Sequence, residues 1–302
     1  MTVRRLAGSL ALLAASGLAW GLVERRWFTL RHQTVPALTA GSPALRVLHL
    51  SDLHLVPGDA RMARFVRRAL VMAPDMVVVT GDMLGHHEAV DDAVELLADV
   101  GRGRHAVAVL GSNDRYGAVL RNPFRYFGGP SRRHPGGRLD TEDLVVGLKE
   151  AGWLVLRNER ASLDTAAGPI DVVGLDDPHI GAAIPAQVDW TPPTDPVALR
   201  LGVVHSPYVG VVGRFADEGF DLVLAGHTHG GQVRVPFVGA LVDNCDLPLR
   251  MARGLSAWDD HLWLHVSAGL GTSRFAPVRF ACRPEASILD LVARPGTARP
   301  AL

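Results

Sequence analysis

The chain has 302 residues, of which 48% are hydrophobic, and this is enough for one large buried core. Its 31 basic residues balance its 31 acidic residues, so the overall charge favours neither a nucleic-acid-binding protein nor an acidic scaffold. Only two cysteines occur, Cys245 and Cys282. This number argues against a disulfide framework and a thiolate zinc site, and it leaves at most one remote bridge.

An uncharged, mostly apolar run of 18 residues lies near the amino terminus, from residue 6 to residue 23. A helix of about this length is close to the minimum that spans a bilayer, and Trp20 and Trp27 would suit its interfaces. We therefore predict that residues 1–30 form a signal anchor that holds the protein in the cell membrane. The basic residues on both sides of the run leave its orientation open. A cleaved signal peptide and an apolar helix packed on the domain are the alternatives.

The rest of the chain predicts one domain over residues 45–292, with a linker before it (residues 31–44) and a flexible tail after it (residues 293–302). Apolar runs that are bounded by turn residues predict strands, and runs with helical spacing predict helices. The predicted strands are 45–50, 76–80, 105–110, 153–157, 170–174, 199–204, 222–225, 262–267 and 287–292. The predicted helices are 61–73, 88–100, 140–152 and 209–218. The first half alternates strands and helices, which favours a parallel sheet, and the later strands would form and close a second sheet.

Side chains that commonly bind metals follow five of these strands directly. The carboxyl ends of parallel strands collect ligand-binding residues at one edge of a sheet. Asp and His in such a place suit Zn²⁺, Mn²⁺ or Fe, although each residue alone would also fit a turn or a helix cap. In chain order, these residues are Asp52, His54, Asp82, Asn113, His205, His227 and His229.

The motif GHTHGGQ presents two histidines, His227 and His229, with one residue between them, at the end of the apolar run 222–225. Histidines at this spacing can serve neighbouring metals if the backbone turns sharply. Gly226, Gly230 and Gly231 permit such a turn.

The motifs SDLH, TGD, GSND, VHSP and GHTHGGQ, in this order, resemble the calcineurin-like metallophosphoesterase family. The corresponding family motifs are D-x-H, G-D, G-N-H-D/E, a lone His and G-H-x-H. The GHTHGGQ form is most similar to the membrane-associated, YkuE-type branch. The resemblance covers about residues 45–292 and implies a four-layer α/β/β/α sandwich, which the N-terminal apolar helix would precede.

The resemblance also implies two divalent metal ions, whether Mn, Zn or Fe, and a ligand set for each. The first ion would be bound by Asp52, His54, Asp82 and His229. The second would be bound by Asp82, Asn113, His205 and His227. The implied reaction is hydrolysis of a phosphodiester or phosphomonoester by a hydroxide that bridges the two metals. Lipid-linked and nucleotide-linked phosphate esters both fit as substrates, and no nucleic-acid partner is expected.

The third motif departs from the family pattern, because Gly-Ser-Asn-Asp lacks the histidine that assists the leaving group. Without a gap, Ser112 replaces the ligand and Asn113 replaces the histidine. With one extra residue after Gly111, Asn113 is the ligand and Asp114 stands at the histidine position. We favour the second alignment because it preserves the metal shell. Asp114 and Asn113 are then the candidate catalytic residues, and substrates with good leaving groups are expected.

Other features of the sequence leave alternatives open. The missing histidine also fits a catalytically weak metal-binding protein that is tethered to the membrane and acts as an interaction module. Residues 115–139, rich in arginine and aromatic residues, are either a solvated loop or a basic lip over the site. DNA binding by this segment would instead indicate a nuclease. The remaining histidines that we considered are interpreted as core, loop or turn residues; they are His49, His86, His87 and His179.

Overall fold

Two six-stranded sheets dominate the computed structural model, which describes residues 3–119 and 136–295. The helices of this part of the chain are α1 (Val3–Glu24), α2 (Ala60–Ala69), α3 (Val90–Gly101), α4 (Thr141–Glu150) and α5 (Val209–Asp217). The strands β1 to β14 are Thr29–Leu38, Leu45–Leu50, Met76–Thr80, His105–Val109, Leu154–Val155, Glu159–Thr165, Gly168–Gly174, Leu199–Val203, Leu222–Ala225, Arg234–Val235, Gly239–Ala240, Gly254–Ala257, Trp263–Val266 and Glu285–Ala293.

The first sheet has the strand order β1-β14-β2-β3-β4-β5. Strands β2 to β5 run parallel, as the alternation of strands and helices predicts. Every residue of β3 is buried, which is typical of a parallel strand covered on both faces. The sheet therefore presents the ends of β2, β3 and β4 at one edge.

Two segments lie elsewhere than the sequence predicts. Residues 31–38, predicted as linker, belong to β1, which pairs in parallel with β14. Pro36 is tolerated there because β1 is an edge strand, where a missing N–H costs little. Strand β14 pairs antiparallel with β2 in the first sheet, so the prediction that residues 287–292 close the second sheet is wrong.

The second sheet has the order β12-β13-β9-β8-β7-β6. Its inner strands are parallel, and β6 and β12 pair antiparallel at its edges. Strand β6 was not predicted, because ERASLDT is too polar to stand out from a loop.

Apolar side chains from both sheets share one core, which includes Val78 of the first sheet and Leu201 of the second. Each such buried side chain contributes about 1.5–3 kcal/mol to stability. Helices α2, α3 and α4 pack against other residues of the first sheet, and α5 packs against the second. The protein is thus mixed α/β with two large sheets, and the predicted count of four layers stays a prediction.

Helix α1 is the first element of the described chain. Among the residues described, none of the helices combines the length and apolar character needed to cross a bilayer, so the predicted membrane anchor over residues 1–30 is not supported. The last turn of α1 contacts the domain. The buried carboxylate of Glu24 accepts hydrogen bonds from the backbone N–H groups of Ala281 (3.0 Å) and Cys282 (2.7 Å).

Three further predictions concern segments or cysteines outside the two sheets. Cys245 and Cys282 are both buried and free, so the remote bridge does not form. Most of the arginine-rich segment, residues 120–135, lies outside the described residues, and so does most of the predicted tail, residues 296–302.

Candidate metal centre

The polar residues predicted at the strand ends meet at one edge of the two sheets. Backbone hydrogen bonds join the loops after β2 and β3, since the N–H groups of Asp52 and His54 donate to Gly81 O (3.0 Å) and Asp82 O (2.9 Å). The loops after β8 and β9 approach them from the second sheet. The residues gathered here are Asp52, His54, Asp82, Asn113, His205, His227 and His229.

The backbone at this edge is strained. Five of the seven residues have φ in the left-handed region, namely Asp52 (49°), His54 (43°), Asp82 (52°), His227 (69°) and His229 (49°). This conformation costs about 1–3 kcal/mol for each residue with a side chain and persists only where packing enforces it. Such strain concentrates at functional sites, and here it coincides with the predicted ligands.

Glycines let the two sheets approach each other at the site. A Cβ atom on Gly226 would overlap Ser51 Oγ and would lie 2.6 Å from Asp52 Oδ2. Gly230 (φ 63°) and Gly231 (φ 79°) form the turn directly after the histidine pair. Gly230 and Gly231 thus provide the predicted turn, whereas Gly226 allows the close approach to Ser51 and Asp52.

Asp52, His54 and His229 form the first cluster of donor atoms. The Nε2 atoms of His54 and His229 lie 3.2 Å apart, and His229 Nε2 lies 3.5 Å from Asp52 Oδ1. His54 Nε2 is also 3.6 Å from Asp82 Oδ2. Donor atoms at these separations can share one ion, because tetrahedral ligands with bonds of about 2.1 Å lie roughly 3.4 Å apart.

Asp52, Asp82 and His205 form the second cluster. His205 is fully buried, and its Nδ1 lies 2.7 Å from Thr80 O, which orients the ring. Its Nε2 has no hydrogen-bond partner in the described chain and lies 3.5 Å from Asp82 Oδ2. Asn113 adds its backbone N–H, which donates to Asp82 Oδ1 at 2.7 Å, and its side-chain amide, 2.5 Å from Asp82 Oδ2.

His227 lies at the margin of the second cluster. Its ring centre is 5.2 Å from that of His205, and its backbone N–H donates to Asp52 Oδ2 at 3.0 Å. Its Nε2 lies 3.2 Å from Asn244 O. The two groups of closely spaced donor atoms do not include it, so its role as a ligand stays a prediction.

The charges at the site are paired across the two sheets. Burial opposes ionisation of Asp82, but the charge and hydrogen bond of His205, the charge of His54 and the backbone N–H of Asn113 together hold the pKa of Asp82 well below its ordinary value. Conversely, burial lowers the pKa of His205, but the Asp82 carboxylate together with Asp177 and Asp52 holds this pKa well above its ordinary value. Burial, together with nearby His54 and Arg279, lowers the pKa of His229 well below 6.5. His229 is therefore neutral at physiological pH, which is the form that binds a metal.

This donor set suits divalent transition metals. Buried carboxylates and imidazoles with mutually facing donor atoms are costly unless a cation or proton lies between them. The buried Nε2 of His205 is a direct example, because it faces Asp82 Oδ2 at 3.5 Å and has no hydrogen-bond partner in the described residues. Nitrogen and carboxylate ligands favour Zn, Mn or Fe.

Residues 45–231 match the family model of the calcineurin-like phosphoesterases. The chain belongs to this family. Phosphodiesterase YaeI of Escherichia coli is 29% identical over 96% of this chain and 98% of its own length. YkuE of Bacillus subtilis, an uncharacterized metallophosphoesterase, is 24% identical over 93% of this chain and 92% of its own length. The UDP-2,3-diacylglucosamine pyrophosphatase LpxG of Chlamydia trachomatis is 24% identical over 86% of this chain and 88% of its own length.

The third motif of this calcineurin-like phosphoesterase follows β4 as a short 3-10 turn, Ser112–Asp114. Within it, Asn113 faces the Asp82 carboxylate. The Asp114 carboxylate is buried, and its two oxygens accept hydrogen bonds from Leu84 N (3.0 Å) and Gly111 N (2.9 Å). Burial and the charge of Asp82 raise the pKa of Asp114 to about 7. The placement of Asp114 fits a residue that holds the loop, and its predicted catalytic role stays a prediction.

Sequence reasoning missed Arg279, a fully buried arginine directly behind the first cluster. Its Nη2 lies 3.2 Å from His229 Nδ1, so it contacts the side of the ring that faces away from the cluster. The same nitrogen donates to the carbonyl oxygens of Ala268 (2.7 Å) and Gly271 (2.7 Å). A single arginine in an irregular segment carries no sequence signal for such a position.

The loop after β7 brings His179 to the site, although we interpreted it as part of a structured turn. Its ring centre lies 4.5 Å from that of His227, and its Nδ1 lies 2.9 Å from the hydroxyl of Tyr208. The DDPH sequence holds a possible ligand or donor, but only the tertiary structure shows that it reaches the edge. His49, by contrast, is a core histidine as predicted, with its Nδ1 2.9 Å from His265 Nδ1.

Proposed function

We propose that this protein is a phosphoesterase that depends on a dinuclear metal centre at this edge. The observation that carries the proposal is the convergence of two buried carboxylates with imidazoles from both sheets, on a backbone strained at the same residues. Asp52, His54, Asp82 and His229 would hold one ion. Asp82, Asn113, His205 and His227 would hold the other. Bound divalent ions would supply Lewis acidity and lower the pKa of water towards about 7.

The protein groups would provide positioning and charge balance. Asp82 lies between the clusters, because its Oδ2 is 3.6 Å from His54 Nε2 and 3.5 Å from His205 Nε2, so this carboxylate would take part in holding both ions. Two carboxylates and neutral imidazoles would leave net positive charge for a phosphoryl group. Arg279 would fix the backbone behind His229, through its hydrogen bonds to Ala268 O and Gly271 O.

We further propose that His179 supplies the hydrogen-bond donor that the third motif lacks. Burial raises the pKa of Tyr208 to about 12, so its hydroxyl keeps its proton at neutral pH. When this hydroxyl donates to His179 Nδ1, the neutral imidazole carries its own proton on Nε2. That N–H could then donate to an oxygen of a substrate bound beside His227.

The substrate would be a phosphodiester or a pyrophosphate. This part of the proposal rests on the relatives, which are named a phosphodiesterase and a UDP-2,3-diacylglucosamine pyrophosphatase. Both lipid-linked and nucleotide-linked esters fit these names. The absence of the family histidine favours substrates with good leaving groups, whose departure needs little proton transfer.

The direct test is turnover of bis(4-nitrophenyl) phosphate by the full chain with Mn²⁺, Zn²⁺ or Fe²⁺. We expect nitrophenolate release that requires metal and is lost in Asp82→Ala. Asp91→Ala, which removes an exposed carboxylate on α3, is the matched control and should retain the parent rate. Equal rates with and without metal would refute the proposal.

A second candidate function is a metal-binding interaction protein with weak catalysis. The Gly-Ser-Asn-Asp segment favours it, because both oxygens of Asp114 are occupied by backbone amides. Metal binding by calorimetry without turnover, and with Asp82→Ala abolishing the binding, would support this candidate instead.

A further inference from the structure

A second cavity, which we call the arginine pocket, lies between the start of β1 and helix α2. Its volume is about 510 Å³. It is lined by Arg26, Trp27, Phe28, Leu30, Arg61, Arg64, Phe65, Arg68 and Ala69. None of these residues belongs to the candidate metal centre, so the pocket is a separate feature of the fold.

The pocket carries uncompensated positive charge. Of its four arginines, Arg26 pairs with Asp59 at 3.0 Å. The other three, Arg61, Arg64 and Arg68, are exposed and form no ion pair with any described residue. No acidic residue is among those that line the cavity. Guanidinium groups in this arrangement are suited to bind phosphate through paired hydrogen bonds.

The neighbouring Arg67 shows that the free arginines are not simply the usual surface of a charged helix. Arg67 lies on the same helix but outside the pocket, and it pairs with Asp99 (3.0 Å) and Glu95 (3.2 Å) of α3. The helix therefore balances its charge on one side and leaves it unbalanced on the side of the pocket.

The rest of the pocket is aromatic and apolar. The rings of Phe28 and Phe65 lie 5.2 Å apart with a tilt of 33°. Trp27 is 48% exposed, and the guanidinium of Arg283 lies 4.3 Å from the centre of its ring. A surface that combines free guanidinium groups with an exposed indole and two partly buried phenyl rings is complementary to a molecule that has both an anionic and an apolar part.

Both walls of the pocket are held in place by the fold. Arg283 donates from Nε to Trp27 O (3.0 Å) and from Nη2 to Phe28 O (3.2 Å). On the other wall, Asp59 accepts from Met62 N at the start of α2 and from Arg26. The backbone of both walls is thus fixed before any ligand binds, which lowers the entropic cost of binding.

We propose that the arginine pocket binds a phosphorylated amphiphile. The phosphate group contacts Arg61, Arg64 and Arg68, and the apolar part packs on Trp27, Phe28 and Phe65. A lipid phosphate and a free phosphate share the anionic chemistry, but only the lipid uses the aromatic wall. The proposal does not depend on the reaction at the metal centre.

The test is calorimetric titration of the full chain with monomeric dihexanoyl phosphatidic acid, with dihexanoyl phosphatidylcholine and with inorganic phosphate. The same titrations in an Asp82→Asn background remove the contribution of phosphate binding at the metal centre. We expect phosphatidic acid to bind at least tenfold more tightly than either other probe, in both backgrounds. Equal affinity for inorganic phosphate, or loss of binding in Asp82→Asn, would refute the proposal.

The variant is the triple substitution Arg61→Gln, Arg64→Gln, Arg68→Gln. A control with the same change of charge is Arg102→Gln, Arg214→Gln, Arg250→Gln, which replaces exposed arginines away from the pocket. The triple variant should lose at least tenfold in affinity for phosphatidic acid, and the control should stay within twofold of the parent. An equal loss in both variants would overturn the assignment to the pocket.

Two further readouts separate this proposal from the proposed enzymatic function. Hydrolysis of bis(4-nitrophenyl) phosphate should be the same, within twofold, in the triple variant and in the parent. Binding should change the fluorescence of Trp27, and this change should disappear in Trp27→Phe. If the parent bound phosphatidic acid but did not hydrolyse bis(4-nitrophenyl) phosphate, only the proposed function would be refuted. If the parent hydrolysed the ester but did not bind phosphatidic acid, only the pocket would be refuted.

Discussion

The two sheets bring different chemistry to the same edge. The first sheet supplies both carboxylates, Asp52 and Asp82, and the second supplies three of the four imidazoles. Neither sheet alone holds a complete donor set. The site therefore exists only when the sheets are packed on each other, and binding of metal should be coupled to that packing.

The largest loss of activity should follow when a single donor is removed from either sheet. Asp52→Asn takes a carboxylate from the first sheet, and His205→Ala takes an imidazole from the second. We expect each to lower kcat/KM on the order of a thousandfold, or about 4 kcal/mol of transition-state stabilisation. Steady-state kinetics with bis(4-nitrophenyl) phosphate checks this. If His205→Ala kept the parent rate, the second sheet would not contribute as described.

The contact between the sheets should also be sensitive to acid. His49 of β2 and His265 of β13 meet between the sheets, and burial lowers the pKa of His265 to about 4. The unfolded chain binds this proton near pH 6.5, so stability should fall from pH 6.5 to pH 4 by about 3 kcal/mol through this residue.

Urea unfolding between pH 7 and pH 4 measures this loss. In His265→Gln, the decrease in unfolding free energy over the same range should be smaller by about that amount. An unchanged decrease would show that the histidine pair does not contribute.

Removal of metal should destabilise the packing of the two sheets on each other. A ligand that binds only the folded state stabilises it by about 2.7 kcal/mol at a concentration of 100 times Kd. Chelation should therefore lower the Tm of the parent, whereas Asp82→Asn should show little further change. Differential scanning calorimetry measures both, and equal shifts in the two proteins would break the proposed coupling.

The smallest loss of activity should come from replacing His179, which lies beside the candidate metal ligand His227. In His179→Gln, we expect about a hundredfold loss for a substrate with a poor alkoxide leaving group, the lower end of the range of general acid catalysis. The loss should be near zero for nitrophenyl esters, because nitrophenolate leaves without a proton. Equal losses for both substrates would indicate a general structural role instead.

The sequence predicts most of the inner strands and the residues that follow them. Runs such as MVVVT are buried on both faces, so their apolar pattern is strong enough to read directly. The candidate metal ligands at their ends follow from the parallel arrangement. Strand β1 was missed because TLRHQTVPAL is an edge strand with a proline and polar residues. Its position is set by pairing with β14, almost 250 residues later in the chain.

The parts of the site that the sequence does not reveal depend on long-range contacts. Arg279 reaches His229 from an irregular segment, and His179 reaches His227 from a loop after another strand. The choice between Ser112 and Asn113 also depends on the three-dimensional course of a short turn. An alignment of the third motif alone therefore allows either Ser112 or Asn113 as the candidate ligand. In the structure, the side chain of Asn113 contacts Asp82.

Residues 279–282 lie between helix α1 and the candidate metal centre. The backbone of this segment is bonded to α1, through Arg279 N to Gly21 O (3.1 Å) and through the amides that Glu24 accepts. The side chain of Arg279, the first residue of this segment, contacts His229. The same four-residue segment therefore contacts both the first helix and a histidine of the candidate metal centre, and its arginine is also held by Ala268 O and Gly271 O.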